Sequence, residues 1–152
     1  MYTVYKILVF IHILSAIVGM GPGFVLSRIV KSAKNMTELR HAYAIKHNFH
    51  IFVMIGGTSL LVTGLMMGLI NTALFHSGWY WTSLTLFFIA LAMGPIVLSP
   101  RSKPIKSLIE NNKEKEEIPK EYYGLAKILF RLEAVINFIF LVIIALMILK
   151  PF

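Results

Sequence analysis

The sequence lacks cysteine and has few charged residues. With no cysteine among its 152 residues, disulfides, thiolate metal sites and iron–sulfur clusters are excluded, while the compartment stays open. Charged residues make up 14% of the chain, whereas a soluble domain of this size carries about a quarter. Together with a hydrophobic content of 57%, this composition is typical of a protein that lies in a membrane.

Motifs for hydrolytic or phosphate chemistry are missing as well. The chain has no phosphate-binding loop, no metallohydrolase motif and no nucleophile–base pair of recognisable spacing. The sequence therefore disfavours hydrolysis and phosphoryl transfer. If the protein performs chemistry, we expect a cofactor to carry it and the helices to supply orientation and a low dielectric.

Four long apolar runs define the fold. They cover residues 4–27, 49–70, 79–99 and 128–149, and each approaches or exceeds the ~20 residues that cross a hydrocarbon core of about 30 Å. Their backbones must be helical, because lipid offers no partners for bare N–H and C=O groups. The first run is too long for a signal peptide and lacks a cleavage site. We predict an all-α integral membrane four-helix bundle, formed as one domain by residues 1–152.

Positive charge predicts the orientation of the bundle. Basic residues crowd the first and third connections, whereas the second, "NTALFHSG", has no Lys or Arg. By the positive-inside rule, both basic connections face the cytoplasm and both termini lie outside. We expect these connections to meet anionic headgroups of the bilayer, and no nucleic acid. In the longer third connection, residues 105–115 are expected to form an amphipathic helix.

Glycine and histidine share stripes on the first two runs. Helical spacing aligns one set in the first run: His12, Ser15, Ala16, Gly19 and Gly23. The opposite side is predicted to face lipid, with Ile7, Ile11, Leu14, Val18 and Val25. A similar stripe in the second run consists of His47, His50, Met54, Gly57, Leu61, Gly64 and Gly68. Such glycines favour close helix packing, within one chain or in a homodimer. Alternatively, Gly19 and Gly64 leave space in which a flat ring, such as a porphyrin or a quinone, can lie against the helix backbone.

Pro22 lies in the middle of the first run, between two glycines. Its ring removes one backbone hydrogen bond and clashes with the carbonyl of Val18, which predicts a kink or break. A break at membrane depth persists only where neighbouring helices or a cavity satisfy the freed groups. The sequence therefore indicates a site near this position without saying what it binds.

His12 is the ionisable residue that the sequence places deepest. It lies about 12 Å inside the outer boundary if the helix rises ~1.5 Å per residue from residue 4. Ligation of haem iron is the use that we favour, with a neutral hydrogen-bonded histidine as the alternative. His50 is roughly 15 Å away along the membrane normal. One iron therefore cannot bind both. Either His12 is the sole protein ligand, or Met66 or Met67 supplies the second, or there are two sites.

A second candidate site lies near the inner edge of the bundle. His47, His50 and Glu133 carry two imidazoles and a carboxylate that could bind a metal, or could form an interfacial hydrogen-bond network. Arg28 and Arg131 are candidates to pair with Glu133 or to hold the propionates of a porphyrin. For Arg131, snorkelling to phospholipid headgroups is the favoured alternative.

Two segments carry a family resemblance. "HILSAIVGMGPGFVLSR" places His12 sixteen residues before Arg28, and the last run opens with "FRLEAVINF" and ends in Lys150, Pro151 and Phe152. Both are similar to HemJ-type protoporphyrinogen oxidases, which are small bacterial membrane proteins. More loosely, the chain resembles CopD-type domains and an uncharacterised family of four-span bacterial proteins, the group in which we expect it to belong.

The resemblance implies a bundle in the bacterial inner membrane that binds haem b, with His12 as ligand and Arg28 as a supporting cation. The chain departs from the HemJ pattern by having Gly19 in place of a tryptophan and no lysine in the third run. We therefore carry over the haem and not the oxidase activity.

The predicted function is haem binding for redox work on a porphyrin or quinone, or for haem handling. The expected cofactor-binding residues are His12, Gly19, Arg28, His50 and Gly64, and the expected metal ligands are His12, His47, His50 and Glu133. One alternative is a small metal-ion or solute transporter subunit, whose path the broken first helix would line. The other is a non-enzymatic assembly protein, which would be colourless and would tolerate His12→Ala.

Overall fold

The computed structural model describes residues 2–151, and these residues fold into helices. The five α-helices are α1 (Tyr2–Lys31), α2 (Met36–Ile70), α3 (Gly78–Met93), α4 (Ser99–Asn111) and α5 (Lys120–Leu149). A 3₁₀ helix, Thr72–His76, connects α2 to α3, and a π-helical turn, Gly94–Leu98, joins α3 to α4.

Four helical stretches are long and apolar enough to cross a membrane: α1, α2, Gly78–Asn111 and α5. Each contains one of the predicted apolar runs, so the all-α four-span architecture is confirmed. Large side chains on the predicted lipid-facing side of α1 are exposed, among them Ile7 at 53%, Leu14 at 50% and Val25 at 57%. Apolar side chains left outside the bundle in this way suit contact with lipid tails.

Helix α2 begins well before its apolar run because its first turn is capped. The side-chain oxygen of Asn35 accepts a hydrogen bond from the Glu38 amide at 2.8 Å. The Glu38 carboxylate in turn accepts one from the Lys34 amide at 2.8 Å. This reciprocal arrangement satisfies amides at the helix start that would otherwise be unpaired. The helix therefore continues beyond the apolar run into the polar end of the bundle.

The amphipathic segment of the third connection is continuous with the third span. Instead of a separate helix over residues 105–115, α4 follows α3 through the π turn and ends at Asn111. Pro95, in that turn, has no N–H to donate, and a π turn is a common way to change the hydrogen-bond register within a helix. Ile105 and Ile109 are buried while most of α4 is exposed. The segment is therefore amphipathic as predicted, but its predicted bounds are wrong.

Helix α1 is not interrupted at Pro22, and the kink predicted there stays a prediction. Helix α1 is one α-helix from Tyr2 to Lys31 with Pro22 inside it. An interior proline forfeits one backbone hydrogen bond, and Gly21 and Gly23 on either side have no side chains to crowd its ring. A broken first helix is therefore not available to line a transport path.

The bundle is a hairpin of α1 and α2 packed beside α3, α4 and α5. Helix α5 contacts α1, α3 and α4. The α1–α2 connection and the α4–α5 connection lie at the same end, since the Met36 amide donates to the Glu116 carbonyl at 2.9 Å. We call this the basic end. Its core cluster is Val30, Met36, Leu39, Ala42, Ile105, Ile109, Tyr122, Ala126 and Leu129.

Candidate functional site

The backbones of α1 and α2 touch where two glycines meet. A Cβ added to Gly56 would lie 2.5 Å from the Gly19 Cα and 2.9 Å from the Ser15 carbonyl oxygen. Glycine is therefore required at this crossing, as in other close contacts between membrane helices. Of the two predictions for Gly19, this contact favours packing, because the facing helix fills the space that a flat ring would need. The seam lies within one chain, which removes this reason for expecting a homodimer.

About two helical turns from this crossing, the side chain of His12 on α1 contacts Thr63 on α2. His12 Nδ1 and Thr63 Oγ1 are 2.7 Å apart, and the Thr63 hydroxyl also lies 2.6 Å from the Ser59 carbonyl oxygen. A threonine hydroxyl has one proton to give and lone pairs with which to accept. Because a carbonyl can only accept, the proton of Thr63 goes to Ser59, and His12 donates from Nδ1 to Thr63.

This chain of hydrogen bonds fixes the tautomer of His12. With the proton on Nδ1, a neutral imidazole keeps its lone pair on Nε2. Histidines that ligate metals usually donate their other ring nitrogen to a neighbouring acceptor, which sets the ring orientation. The half-buried His12 thus has the hydrogen-bond pattern of a metal-ligating histidine, in which Nδ1 donates to a neighbour and Nε2 faces the metal.

Two rings lie beside Thr63, one against Gly64 and one against Gly68, and only Gly68 must be glycine to leave the space. A Cβ at Gly64 would lie 3.4 Å from His12 Cε1, and one at Gly68 would lie 2.5 Å from the Tyr80 hydroxyl oxygen. Tyr80 donates a hydrogen bond from that hydroxyl to the Gly64 carbonyl at 3.1 Å. We call His12, Thr63, Gly64 and Tyr80 the His12 site. The structure places His12 beside Gly64, and their predicted cofactor-binding role stays a prediction, whereas Thr63 and Tyr80 were not predicted.

His47 and His50 lie outside the helix seam. Both are exposed, as is Met54 at 57%, so the predicted stripe on α2 is wrong in its first half. The buried positions of the apolar half of α2 are Gly56, Leu60, Thr63, Gly64 and Gly68. A stripe drawn in alternating steps of three and four averages 3.5 residues per turn. Since a straight helix drifts from that repeat by about 20° per heptad, such a stripe leaves the contact face.

Glu133 is engaged by residues other than the predicted ones. Its Oε1 accepts from Lys46 Nζ, and its Oε2 accepts from the Ser27 hydroxyl at 2.6 Å. Both side chains of the ion pair are mostly buried, Lys46 at 24% exposure and Glu133 at 12%. The predicted pairing of Glu133 with Arg28 or Arg131 is therefore wrong, and both arginines are exposed.

The predicted metal cluster is not assembled around Glu133. Within residues 2–151, no group of three or more His, Asp or Glu side chains lies close enough to hold a metal ion. We call the arrangement that does form, Ser27, Lys46 and Glu133, the Glu133 cluster. Its signal in the sequence was a carboxylate at the start of a span, which needs a buried donor or cation. Lys46, the last lysine before the second apolar run, was that partner.

Asn137 lies one turn beyond Glu133 and joins α5 to α1. Its side-chain amide donates to the Gly23 carbonyl at 3.0 Å, and a Cβ at Gly23 would lie 2.7 Å from its Oδ1. This contact explains Gly23 as a position where an asparagine side chain approaches backbone. The polar contacts of α5 thus fix its position against the α1–α2 hairpin.

Comparison with known proteins places the chain in a family. No curated protein matches the sequence, no solved structure matches the fold, and the resemblance to HemJ-type oxidases and CopD-type domains finds no support. The model of one family, described as "Predicted integral membrane protein (DUF2269)", matches residues 6–151. This protein therefore belongs to the DUF2269 family of predicted integral membrane proteins.

Proposed function

We propose that the protein binds a b-type haem within the bilayer, with Nε2 of His12 as an axial ligand. The observation that carries the proposal is the hydrogen-bond chain from His12 through Thr63 to Ser59. It commits one ring nitrogen and leaves Nε2 with no hydrogen-bond partner among the residues that the structure describes. An ionisable side chain at membrane depth is costly unless it is paired or ligated, and iron would supply the second partner.

The residues around His12 fit a neutral axial ligand. The groups that approach its ring include the Thr63 hydroxyl and the backbone at Leu60 and Gly64, and none of them carries a full charge. Thr63 holds the ring in one orientation, and the apolar helices keep water away from it. When bound, the haem would supply one-electron chemistry, for redox work on a porphyrin or quinone or for haem handling.

Two of the predicted ligands, His50 and Met66, face away from His12. His50 is exposed on α2 outside the helix seam, and Met66 is 42% exposed. Arg28 follows His12 by sixteen residues of α1, which is roughly 24 Å along the helix axis. That separation is too long for one porphyrin to contact both residues. We therefore propose His12 as the sole protein ligand of this chain, with no role for Arg28 at the haem.

The positive-inside rule supports an orientation with the basic end in the cytoplasm of a bacterial cell, and both termini outside. His12 would then lie in the outer half of the inner membrane. A cysteine introduced at position 76, in the connection opposite the basic end, should react with an impermeant maleimide in whole cells. One introduced at exposed position 113 should react only after lysis, and the reverse pattern would contradict the orientation.

An absorption spectrum tests the haem proposal. We expect detergent-purified protein, oxidised and reduced, to show a Soret band that His12→Ala removes. The matched control is His76→Ala, which deletes an exposed imidazole in the 3₁₀ helix and should leave the band unchanged.

Two other results would contradict the proposal. A Soret band that survives His12→Ala would move the ligand to His47 or His50. A wild-type protein that stays colourless after incubation with hemin would overturn haem binding and leave transport or assembly as the remaining functions.

A further inference from the structure

A surface groove at the basic end lies between the last turns of α1 and the first half of α5. Its volume is about 420 Å³, and its lining includes Lys31 from α1 and Lys127, Phe130, Arg131 and Ala134 from α5. The groove is separate from both the His12 site and the Glu133 cluster. None of its residues is used by the proposed haem site.

The cations of this groove have no counter-ion. The ion pairs found between residues 2 and 151 are Lys46–Glu133 and Lys113–Glu110, so Lys31, Lys127 and Arg131 are in none. Lys127 and Arg131 are four residues apart on α5, where like charges repel. No acidic residue lines the groove. An anion bound among the three cations would therefore relieve a repulsion that the chain itself leaves uncompensated.

The remainder of the groove is apolar and continues into the membrane-spanning part of α5. Phe130 and Ala134 lie one turn apart and both line it, and Lys31 Nζ lies 4.8 Å from the centroid of the Phe130 ring. Lys127 and Arg131 thus lie at the start of the apolar run of α5. Charge at a headgroup level above an apolar track is the chemistry of an anionic lipid, and basic pockets between membrane helices bind such headgroups.

We propose that this groove binds one acidic phospholipid, with its phosphate among Lys31, Lys127 and Arg131 and an acyl chain along Phe130 and Ala134. The proposal rests on the charge and shape of the groove and does not depend on haem. It also gives Arg131 a specific partner in place of general snorkelling.

Lipid retention by native mass spectrometry tests the proposal on the full chain. The protein is released from nanodiscs containing equal amounts of phosphatidylglycerol and phosphatidylcholine, and we expect one phosphatidylglycerol to be retained. Since each basic residue near the surface contributes about 1 kcal/mol, Lys31→Gln/Lys127→Gln/Arg131→Gln should weaken phosphatidylglycerol binding roughly 100-fold. The matched control, Arg101→Gln/Lys103→Gln/Lys106→Gln, removes three exposed charges of α4 at the same end and should change it less than about two-fold.

A second variant tests the groove without altering charge. Ala134→Trp should fill the acyl track and reduce retention while leaving the three cations in place. Equal losses in the two triple variants would show diffuse attraction to the basic end and overturn the site. If Ala134→Trp retains as much phosphatidylglycerol as the wild type, the lipid does not bind in this groove. Displacement of the lipid by millimolar inorganic phosphate would identify a free-anion site and overturn the lipid as its occupant.

Discussion

The His12 site and the Glu133 cluster both place polar side chains among apolar helices, but only one is completed by the chain itself. Both oxygens of the Glu133 carboxylate have a donor, Lys46 or Ser27. His12 has a partner for Nδ1 and none for Nε2 among the described residues. An imidazole at membrane depth is costly unless it is paired or ligated. The comparison therefore assigns a structural role to the completed cluster and a ligand to the incomplete site.

The largest effect is expected from removing Glu133, which tests the structural role of the Glu133 cluster. Glu133→Ala leaves Lys46 mostly buried without a counter-charge, and loss of one partner of a buried pair typically costs about 3 kcal/mol. We expect a fall of that size in the free energy of unfolding in detergent, measured by denaturant titration. The double variant Lys46→Met/Glu133→Leu should recover most of it, because an apolar replacement leaves no unpaired charge. Wild-type stability of Glu133→Ala would contradict a structural role for the cluster.

The glycine crossing tests whether α1 and α2 hold His12 against Thr63 by backbone contact. Gly56→Ala would place a Cβ 2.5 Å from the Gly19 backbone, so the helices must separate, at a cost of about 2 kcal/mol. Gly57→Ala is the matched control, since a Cβ there meets nothing within 4 Å and alanine favours a helix. The measurement is thermal unfolding of both variants. Equal melting temperatures would contradict the close crossing.

Thr63→Val tests the part of the His12 site that sets its tautomer. It keeps the shape of the side chain and removes the acceptor for Nδ1, and loss of such an outer-shell partner typically weakens metal binding 10- to 100-fold. We therefore expect at least a roughly 10-fold loss of hemin affinity in a Soret titration. Thr58→Val is the control, since the exposed Thr58 donates only to the Met54 carbonyl of its own helix. A similar small effect in both variants would remove Thr63 from the site.

The smallest effect is expected at Asn137. Asn137→Ala removes the hydrogen bond to the Gly23 carbonyl, and such bonds between membrane helices average about 0.6 kcal/mol. We expect a loss near that value in the free energy of unfolding, against none for the exposed Asn48→Ala. A loss as large as that of Glu133→Ala would mean that the amide fixes α5 against the hairpin as strongly as the ion pair does.

The fold followed from the sequence because membrane helices need long apolar runs. The four runs each fall within an observed span, and the exposed side of α1 was predicted from helical spacing alone. Helix ends were predicted less well. The cap at Asn35 and Glu38 extends α2 through polar residues, and hydropathy does not detect it.

The candidate site was predicted only where it lies on one face of α1. His12 and Gly19 turn inward with Ser15, as their spacing indicates. The partners of His12 and Glu133 are 51 and 87 residues away in the chain, and which residues meet depends on how α2 and α5 are rotated in the bundle. A rotation of a few tens of degrees removes His47 and His50 from the seam and brings in Thr63 and Lys46. Sequence periodicity does not fix that angle.

The most direct test of the central claim is to measure which of the two ring nitrogens of His12 carries the proton. Nitrogen NMR of protein with labelled His12, in lipid and with the other histidines replaced, distinguishes them before and after hemin is added. We predict a neutral imidazole protonated at Nδ1, whose bare Nε2 signal is lost on hemin binding while Thr63→Val alters the tautomer. A proton on Nε2 in the free protein, or an Nε2 signal unchanged by hemin, would contradict the assignment of His12 as a ligand held by Thr63.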